Sequence, residues 1–301
     1  MKPPIGGQAV IEGVMMQNGE RIALAVRRQA DGEIVVRSIP ARIKFKRLGQ
    51  IPFVRGVFRL YDMLSLGVRA LNLSTQLAFP EEEQLSKQGT FFTFAFAIVA
   101  AIAVFIVLPL YATNAIPSLR IGNAILFNLV EGGIRLLIFF LYLVIVSRIK
   151  EIHRVFQYHG AEHKVVYTYE ADEDLTVENA RRHTTLHPRC GTAFLMTVFV
   201  IAILVFSLVG NPSLWIKTLS RLALLPVVAG ISYEALRFSG RSFDRWWVKL
   251  LAQPGLWLQR LTTAEPTDDM IEVALASMNG VLTARPPESP EALPSESDPS
   301  V

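Results

Sequence analysis

The chain has 301 residues, of which 51% are hydrophobic and only 19% are charged, with a formal net charge of +4. Soluble domains carry about 25% charged residues, so this composition indicates a membrane protein and argues against an ordinary soluble enzyme. A single cysteine, Cys190, excludes an intrachain disulfide and fits a reducing compartment.

The N-terminal part predicts a small β-rich module over residues 1–50. The stretch RIALAVRRQADGEIVVRSI alternates apolar and polar residues on either side of Ala-Asp-Gly, which is typical of a β-hairpin. The preceding GGQAVIEGVMM predicts a further short strand bracketed by glycines. Residues 51–90 then predict an amphipathic helix suited to the membrane interface. Its apolar stripe consists of Phe53, Val57, Leu60, Leu64, Val68 and Leu71.

Four apolar segments could cross a bilayer, which needs about 20 residues per helix. We therefore expect an α-helical multi-pass membrane protein with about four transmembrane helices, two within residues 91–147 and two within 193–238. The segments are residues 91–112, 124–147, 193–210 and 222–238. The last is the shortest and contains Pro226 and Gly230.

Basic residues predict the orientation of these helices. Residues 1–90, 148–192 and 237–301 together hold 26 of the 30 lysines and arginines, whereas the opposite side holds three. Because positive residues near membrane-spanning helices stay in the cytoplasm, both termini and the 148–192 loop are expected there. The predicted location is the cell (cytoplasmic) membrane.

One predicted span carries two charges, Glu131 and Arg135, one helical turn apart. Charged residues are costly in hydrocarbon, and this order of charges favours a salt bridge within the helix. A structural pair is the first interpretation. A proton, ion or lipid-headgroup pathway is the alternative.

The C-terminal part predicts amphipathic interfacial helices over residues 239–284. The stretch DRWWVKLLAQPGLWLQRL holds three of the four tryptophans among basic residues, as expected at a membrane surface. The stretch TDDMIEVALASMNG predicts a second helix ending at Asn-Gly. Residues 285–301 are rich in proline, serine and acidic residues and predict a disordered tail.

All five histidines lie between positions 153 and 187, and Cys190 follows three residues later. In FQYHGAEHK, His159 and His163 fall on an apolar helical stripe, one turn apart. Two imidazoles in this spacing can ligate one metal ion from the same side. Glu162 beside them could be a third ligand, an orienting partner or a general base. Gly160 weakens the helix at this point.

The stretch TVENARRHTTLHPRCGT supplies the second half of this predicted site. Thr176 can cap a short helix that ends near Arg182. The sequence HPRCG predicts a tight loop that brings His187 and Cys190 to the same pocket. His159, His163, His187 and Cys190 form a nitrogen and sulfur set of the kind that zinc prefers.

Other interpretations of the histidine loop stay open. A metal-free hydrogen-bonded pocket would use the same side chains, and Cys190 with His187 could form a nucleophile and base. The run from Glu170 to Glu178 reads as a solvated loop. Glu234, near the end of the last span, could point toward the pocket as an oxygen ligand or a base.

Several long motifs resemble the YqhQ-like family of bacterial membrane proteins, a family whose domain has no known function. The motifs are GGQAVIEGVMM, FQYHGAEHK, LTVENAR, LHPRCGTAF, GISYE and PGLWLQRLTT, and together they extend over residues 5–283. The resemblance implies a multi-pass membrane protein that has been labelled a metal-dependent enzyme. It places the family's histidine motif on His159, Glu162 and His163, and its HPRCG motif on His187, Pro188 and Cys190.

Three functions follow from these expectations. The first is a membrane metal-dependent enzyme, best a hydrolase, with a divalent ion such as zinc and with Glu162 or Glu234 as the general base. The second is a scaffold or assembly factor with a structural metal site, and the third is a small transporter using Glu131 and Arg135. The expected partner is the lipid bilayer, and a homo-oligomer is a further candidate. No nucleotide-binding motif occurs, and no nucleic-acid partner is expected.

Overall fold

The structure is a computed structural model that describes residues 5–40, 48–80, 87–120, 123–210, 213–241 and 245–283. It is mostly helical, with one antiparallel sheet near the N-terminus. This agrees with the expected fold class. The predicted tail at residues 285–301 lies outside the described residues.

The sheet has four strands in the order β1-β2-β3-β4. The predicted hairpin is confirmed, because β3 pairs with β4 and Arg27 lies opposite Ile34. The glycine-rich stretch before it forms two strands instead of one, since the chain reverses at Glu12, which has a φ of 51°. The strands are β1 (Gly6–Val10), β2 (Gly13–Asn18), β3 (Arg21–Arg27) and β4 (Ile34–Ser38).

Both faces of the sheet are covered by helices. Val14, Met16 and Ala25 belong to one buried cluster, whereas Met15 and Leu24 belong to another on the opposite face. Residues 22–26 of β3 are therefore all buried, and this strand does not alternate between buried and solvent-exposed side chains as its sequence pattern predicted. A strand covered on both sides tolerates apolar residues at consecutive positions.

Eleven α-helices occur in the described part of the chain. They are α1 (Val54–Ala78), α2 (Lys87–Ile102), α3 (Leu108–Asn114), α4 (Pro117–Arg120), α5 (Ala124–Val146), α6 (Lys150–Glu170), α7 (Val177–Arg182), α8 (Thr192–Ser207), α9 (Leu214–Arg241), α10 (Trp246–Thr262) and α11 (Asp268–Thr283). A 3₁₀ turn precedes α1 at Leu48–Gln50, and a π-helical segment, Ala103–Val107, joins α2 to α3.

Helix α1 is the predicted amphipathic helix, but its buried face differs from the predicted stripe. Leu66, Ala70 and Ala78 pack on the sheet. Phe53 and Leu64, two positions of the predicted stripe, are 59% and 60% exposed. Small residues make the sheet-facing side hard to recognise from hydrophobicity alone.

Among the residues that the structure describes, three helical segments are long and apolar enough to cross a membrane: Gln88–Asn114, Ala124–Val146 and Leu214–Phe238. They suggest membrane association. The predicted third span forms a shorter apolar helix, α8. Helix α9 begins earlier than the predicted fourth span and continues through Pro226.

The last helix, α11, packs on the sheet and on α6. Val273, Ala274 and Met278 are fully buried in the cluster that includes β2 and β3. The predicted stop at Asn-Gly is wrong, since the helix runs through Gly280 to Thr283. A Cβ at Gly280 would lie 2.9 Å from a Val36 methyl group, so this glycine permits close helix–sheet packing.

Candidate functional site

Two histidines of α6 face the turn that precedes α8. His163 is 2% exposed and His159 is half-buried. The Nδ1 of His159 lies 2.8 Å from the carbonyl oxygen of Thr262, and the Nδ1 of His163 contacts the carbonyl oxygen of Thr185. A carbonyl oxygen only accepts, so in both rings Nδ1 carries the hydrogen and donates it. In the neutral rings this leaves Nε2 with a free lone pair, the form in which histidine binds metal ions.

Cys190 lies next to these imidazoles. A tight turn, closed by Cys190 N–H donating to His187 O at 3.2 Å, places the thiol two residues before α8 begins. The Nε2 of His159 is 3.2 Å from Cys190 Sγ. The backbone N–H of Thr192 also donates to this sulfur, at 3.5 Å.

Among the described residues, His159, His163 and Cys190 form a group whose ligand atoms all lie within 4.8 Å of one another. The Nε2 of His163 is buried and has no hydrogen-bond partner in the part of the chain that the structure describes. Burial lowers the pKa of His163, with smaller opposing contributions from Cys190, and therefore favours the neutral ring. A free imidazole nitrogen beside a thiol and a second imidazole fits the ligand set of a zinc-type ion.

His187 lies beside this group and not within it. Its ring centroid is 5.6 Å from that of His163. Its Nε2 faces a Glu170 oxygen at 3.4 Å, and its Nδ1 accepts from the backbone N–H of Arg189 at 3.3 Å. The Gln259 side chain holds its backbone, accepting from His187 N–H at 2.7 Å and donating to His187 O at 2.9 Å. The expected fourth ligand is thus turned toward a carboxylate.

Glu170 terminates α6 and is not part of a solvated loop. Partial burial raises its pKa, but the hydrogen bond from His187 and the charge of Arg189 outweigh this and lower it below its ordinary value. Glu170 lies seven residues after His163, two helical turns along the same face. This spacing is the sequence pattern that could have predicted Glu170 near the histidines.

Glu162 lies on the side of α6 that faces the sheet. Its carboxyl group accepts a hydrogen bond from the backbone N–H of Gly7, and a Cβ at Gly7 would lie only 2.8 Å from Oε1. Burial raises the pKa of Glu162, whereas His159 and His187 act in the opposite direction. It is a buried carboxyl group electrostatically coupled to the histidines and is not among the three clustered ligands.

Glu234 forms contacts away from the histidines. Its oxygens accept from Arg55 Nε at 2.7 Å and from a second Arg55 nitrogen at 2.5 Å, and one also accepts from Phe53 N–H at 3.2 Å. The pair joins α9 to the start of α1. The hydrogen bonds of the described residues do not connect Glu234 with the site.

A close contact explains the glycine within the histidine motif. The segment after α10 runs against α6, where Ala264 N–H donates to Phe156 O at 2.9 Å. A Cβ at Gly160 would lie 2.1 Å from Ala264 O and 3.1 Å from Thr185 Cγ2. The two segments whose carbonyl oxygens bind His159 and His163 can therefore pack this closely on α6 only because position 160 is a glycine.

Two further residues that support the site had no clear signal in the sequence. Lys164 is 3% exposed, and its ammonium donates to His183 O at 2.7 Å and pairs with Glu265 at 2.8 Å. A lysine beside a histidine in a charged segment reads as solvated, and only its contacts show otherwise. Gln259 is fully buried in α10, and its position against His187 depends on long-range packing. By contrast, the predicted cap at Thr176 is confirmed, since its side chain accepts from Asn179 N–H.

These features define a mostly helical protein with membrane-spanning candidates and a buried His/Cys cluster. Residues 51–284 match a family described as a protein of unknown function (DUF1385), and the chain belongs to that family. It is also similar to the uncharacterized protein YqhQ of Bacillus subtilis (strain 168), with 36% identity over 299 residues, covering 93% of this chain and 92% of that relative. The predicted YqhQ-like relationship is confirmed. No solved structure matches the chain.

Proposed function

We propose that this chain is a membrane protein that binds one divalent metal ion, best zinc, through His159, His163 and Cys190. We further propose that it is a metal-dependent hydrolase with a membrane-proximal substrate. One observation carries the proposal: the buried Nε2 of His163 has no partner among the described residues, yet it points into a group with a second imidazole and a thiol.

The donor set fits zinc by chemistry as well as by spacing. Both histidines are fixed through Nδ1 by backbone carbonyls, which is how metal-binding imidazoles are usually oriented. Zinc–nitrogen and zinc–sulfur distances of about 2.0–2.3 Å place neighbouring ligand atoms of a tetrahedral site about 3.3–3.8 Å apart. The 3.2 Å separation of His159 Nε2 from Cys190 Sγ is close to this range.

Three protein ligands favour catalysis over a purely structural role. Structural zinc sites are closed by four protein ligands, whereas catalytic sites keep one position open. His187 is the nearest candidate for a fourth ligand, and Glu170 with Arg189 holds its ring in another orientation. When bound, a divalent ion supplies Lewis acidity to a substrate carbonyl or phosphoryl group.

Glu162 is the carboxyl group best placed for proton transfer in this proposal. Its burial keeps bulk water away, and the electrostatic effect of His159 and His187 on its pKa supports a role near the cluster. Gly7 fixes its position from the sheet side. Glu234, the other expected base, is bound by Arg55 and takes no part in the proposed reaction.

The position of the cluster relative to the apolar helices supports a membrane-proximal substrate. Helix α6 follows α5 after three residues, and Cys190 lies two residues before α8. The cluster therefore lies at one end of the candidate spans. The distribution of basic residues predicts that this end faces the cytoplasm.

Metal analysis of full-length protein purified in detergent tests the site. After dialysis against zinc, the protein should retain about one ion per chain, and His163→Gln and Cys190→Ser should lose it. His153→Gln is the matched control, because His153 is an exposed histidine on the same helix. A correctly folded protein without stoichiometric metal, or equal metal in all variants, would exclude the proposed site.

Cobalt substitution separates the catalytic from the structural interpretation. An open coordination position should make the visible spectrum change when azide is added, because a small anion can enter it. The same response is expected in His187→Gln if His187 is not a ligand. A spectrum insensitive to azide in the wild type, but sensitive in His187→Gln, would show a closed structural site.

A further inference from the structure

A second group of buried charges lies at the opposite end of the apolar helices. Glu131 of α5 forms ion pairs with Arg135 of the same helix and with Arg221 of α9, the latter at 2.6 Å. Arg221 also donates to Asn128 Oδ1 at 2.7 Å. The predicted pairing within α5 is confirmed, and the partner from α9 was not predictable from the spacing. We call Glu131, Arg135, Arg221 and Lys217 the cation cluster.

The cation cluster is almost completely buried. Glu131 and Arg221 are each 1% exposed, Arg135 is 5% and Lys217 is 3%. The ammonium of Lys217 lies 3.6 Å from the centroid of the Phe127 ring, one turn before Glu131 on α5. This side chain therefore belongs to the same packed group.

The charges of this cluster do not balance. The cluster contains three cations and one carboxylate, Glu131, which leaves an excess of two positive charges. The sequence from 88 to 130 contains no Asp or Glu, and neither does the sequence from 192 to 233. Neighbouring apolar segments and their connections therefore supply no second anion. Uncompensated charges in an apolar interior are strongly unfavourable.

An unpartnered donor accompanies this excess charge. The Nε of Arg135 is buried and has no hydrogen-bond partner among the described residues, although another nitrogen of the same guanidinium binds Glu131. A guanidinium buried with a free N–H is a ready donor to an oxyanion.

From this charge excess and this free donor we infer that the cation cluster binds one phosphate group. A terminal phosphate carries about −1.5 to −2 charges at pH 7, which matches an excess of two positive charges better than a monovalent anion does. Arginine pairs also match the geometry of phosphate oxygens. The phosphate comes either from inorganic phosphate or from a lipid with a terminal phosphate, phosphatidic acid.

The location of the cluster separates this site from the His/Cys cluster. Phe206, whose ring centroid is 5.1 Å from the guanidinium carbons of Arg135 and Arg221, lies at the end of α8, whereas Cys190 lies before its start. Lys217 is in the first turn of α9. Phosphate binding can therefore be tested independently of whether the chain binds a metal ion.

Titration of full-length protein in phosphatidylcholine nanodiscs tests this proposal. Inorganic phosphate and nanodiscs containing phosphatidic acid are the two arms, and phosphatidylglycerol, a singly charged phosphodiester, is the comparison. Saturable thermal stabilisation by either arm, stronger than by phosphatidylglycerol, supports the site and identifies its source. Stabilisation by neither arm, or equal stabilisation by phosphatidylglycerol, overturns it.

Two variants with opposite expected effects locate the binding. Lys217→Gln should weaken phosphate binding about tenfold, because a charged donor is lost. Glu131→Gln should strengthen it, because the competing carboxylate is lost. Arg182→Gln is the control, because it removes one positive charge at an exposed position of α7, and it should leave the phosphate affinity unchanged.

The same variants distinguish phosphate binding from a purely structural role of the buried charges. If Lys217→Gln raises the thermal stability and leaves the phosphate affinity unchanged, the buried lysine is neutral or merely tolerated, and the inference fails. If Lys217→Gln does not fold, Glu131→Gln decides alone. Unchanged or weaker phosphate binding in that variant overturns the proposal.

Discussion

Gly160→Ala provides a sharp test of how the His/Cys site is built, because two physical effects predict opposite signs. Gly160 lies inside α6. In an unconstrained helix, replacing glycine by alanine stabilises the fold by about 1 kcal/mol. Helix propensity alone therefore predicts a more stable protein.

The close contact with the segment after α10 predicts the reverse. The added methyl group would lie 2.1 Å from Ala264 O, and this backbone cannot move freely because Ala264 N–H binds Phe156 O at 2.9 Å. Overpacking of this kind costs about 1–3 kcal/mol, and a backbone oxygen so close calls for the upper part of that range. After subtracting the helix gain, we expect a net loss of about 1–2 kcal/mol.

The displaced backbone also connects to the metal site. Thr262 O and Thr185 O fix the two imidazoles, and both belong to segments that contact Gly160 or its neighbours. Gly160→Ala should therefore weaken zinc binding while all three ligands remain. A ligand displaced by about 1 Å is enough to lose much of a site's affinity.

Thermal unfolding followed by circular dichroism, together with zinc titration, measures both effects. We expect a Tm lower by about 2–8 °C, from roughly 2–4 °C per kcal/mol for a chain of this size. Gly133→Ala is the matched control, because its Cβ would meet nothing within 4 Å on α5. A Gly160→Ala protein as stable as Gly133→Ala, with unchanged zinc affinity, would refute the close packing around the histidine motif.

Three further predictions follow from the site and the charge distribution. In metal-free protein, Glu170→Gln should lower Tm at neutral pH. A carboxylate whose pKa is lowered by folding stabilises the fold at pH values above its unfolded pKa, about 4.5, and loses this contribution as the pH falls through its lower folded pKa. The Tm difference from wild type should therefore shrink below about pH 4.5. A Tm difference independent of pH would contradict the Glu170–His187 contact. Zinc affinity should fall as the pH is lowered from 8 to about 6, because protons compete for thiolate and imidazole ligands, and isothermal titration should show proton release on binding; Cys190→Ser should release fewer protons. A green fluorescent protein fused after Val301 should fluoresce and alkaline phosphatase fused there should be inactive, because the basic residues predict a cytoplasmic C-terminus; the opposite pair of results would invert the topology.

Local periodicity was enough to predict the arrangement of the two histidines on α6. The apolar helical stripe put His159 and His163 one turn apart, and the structure shows that relation. The proline and glycine in HPRCG predicted a tight turn, and the turn brings Cys190 to the histidines. These inferences needed only geometry within a few residues of each motif.

The remaining partners depended on contacts between distant segments, which one sequence does not specify. His187 was expected to share the ion, but Gln259 and Glu170 hold it beside the cluster. Glu234 was expected near the pocket, but Arg55, 179 positions earlier, holds its carboxylate. Side-chain chemistry indicates that such groups need partners, whereas only the packing of helices determines which partner is within reach.

The N-terminal sheet packs against the side of α6 that carries Glu162. Gly7 in β1 contacts Glu162, and Glu12 binds both Arg154 at 2.6 Å and the Tyr158 hydroxyl at 3.3 Å on α6. These contacts cover the side of α6 that carries Glu162 and leave the side with the two histidines to the turn before α8. The sheet therefore isolates the Glu162 carboxyl group from water, because the first strands and α6 share one buried core.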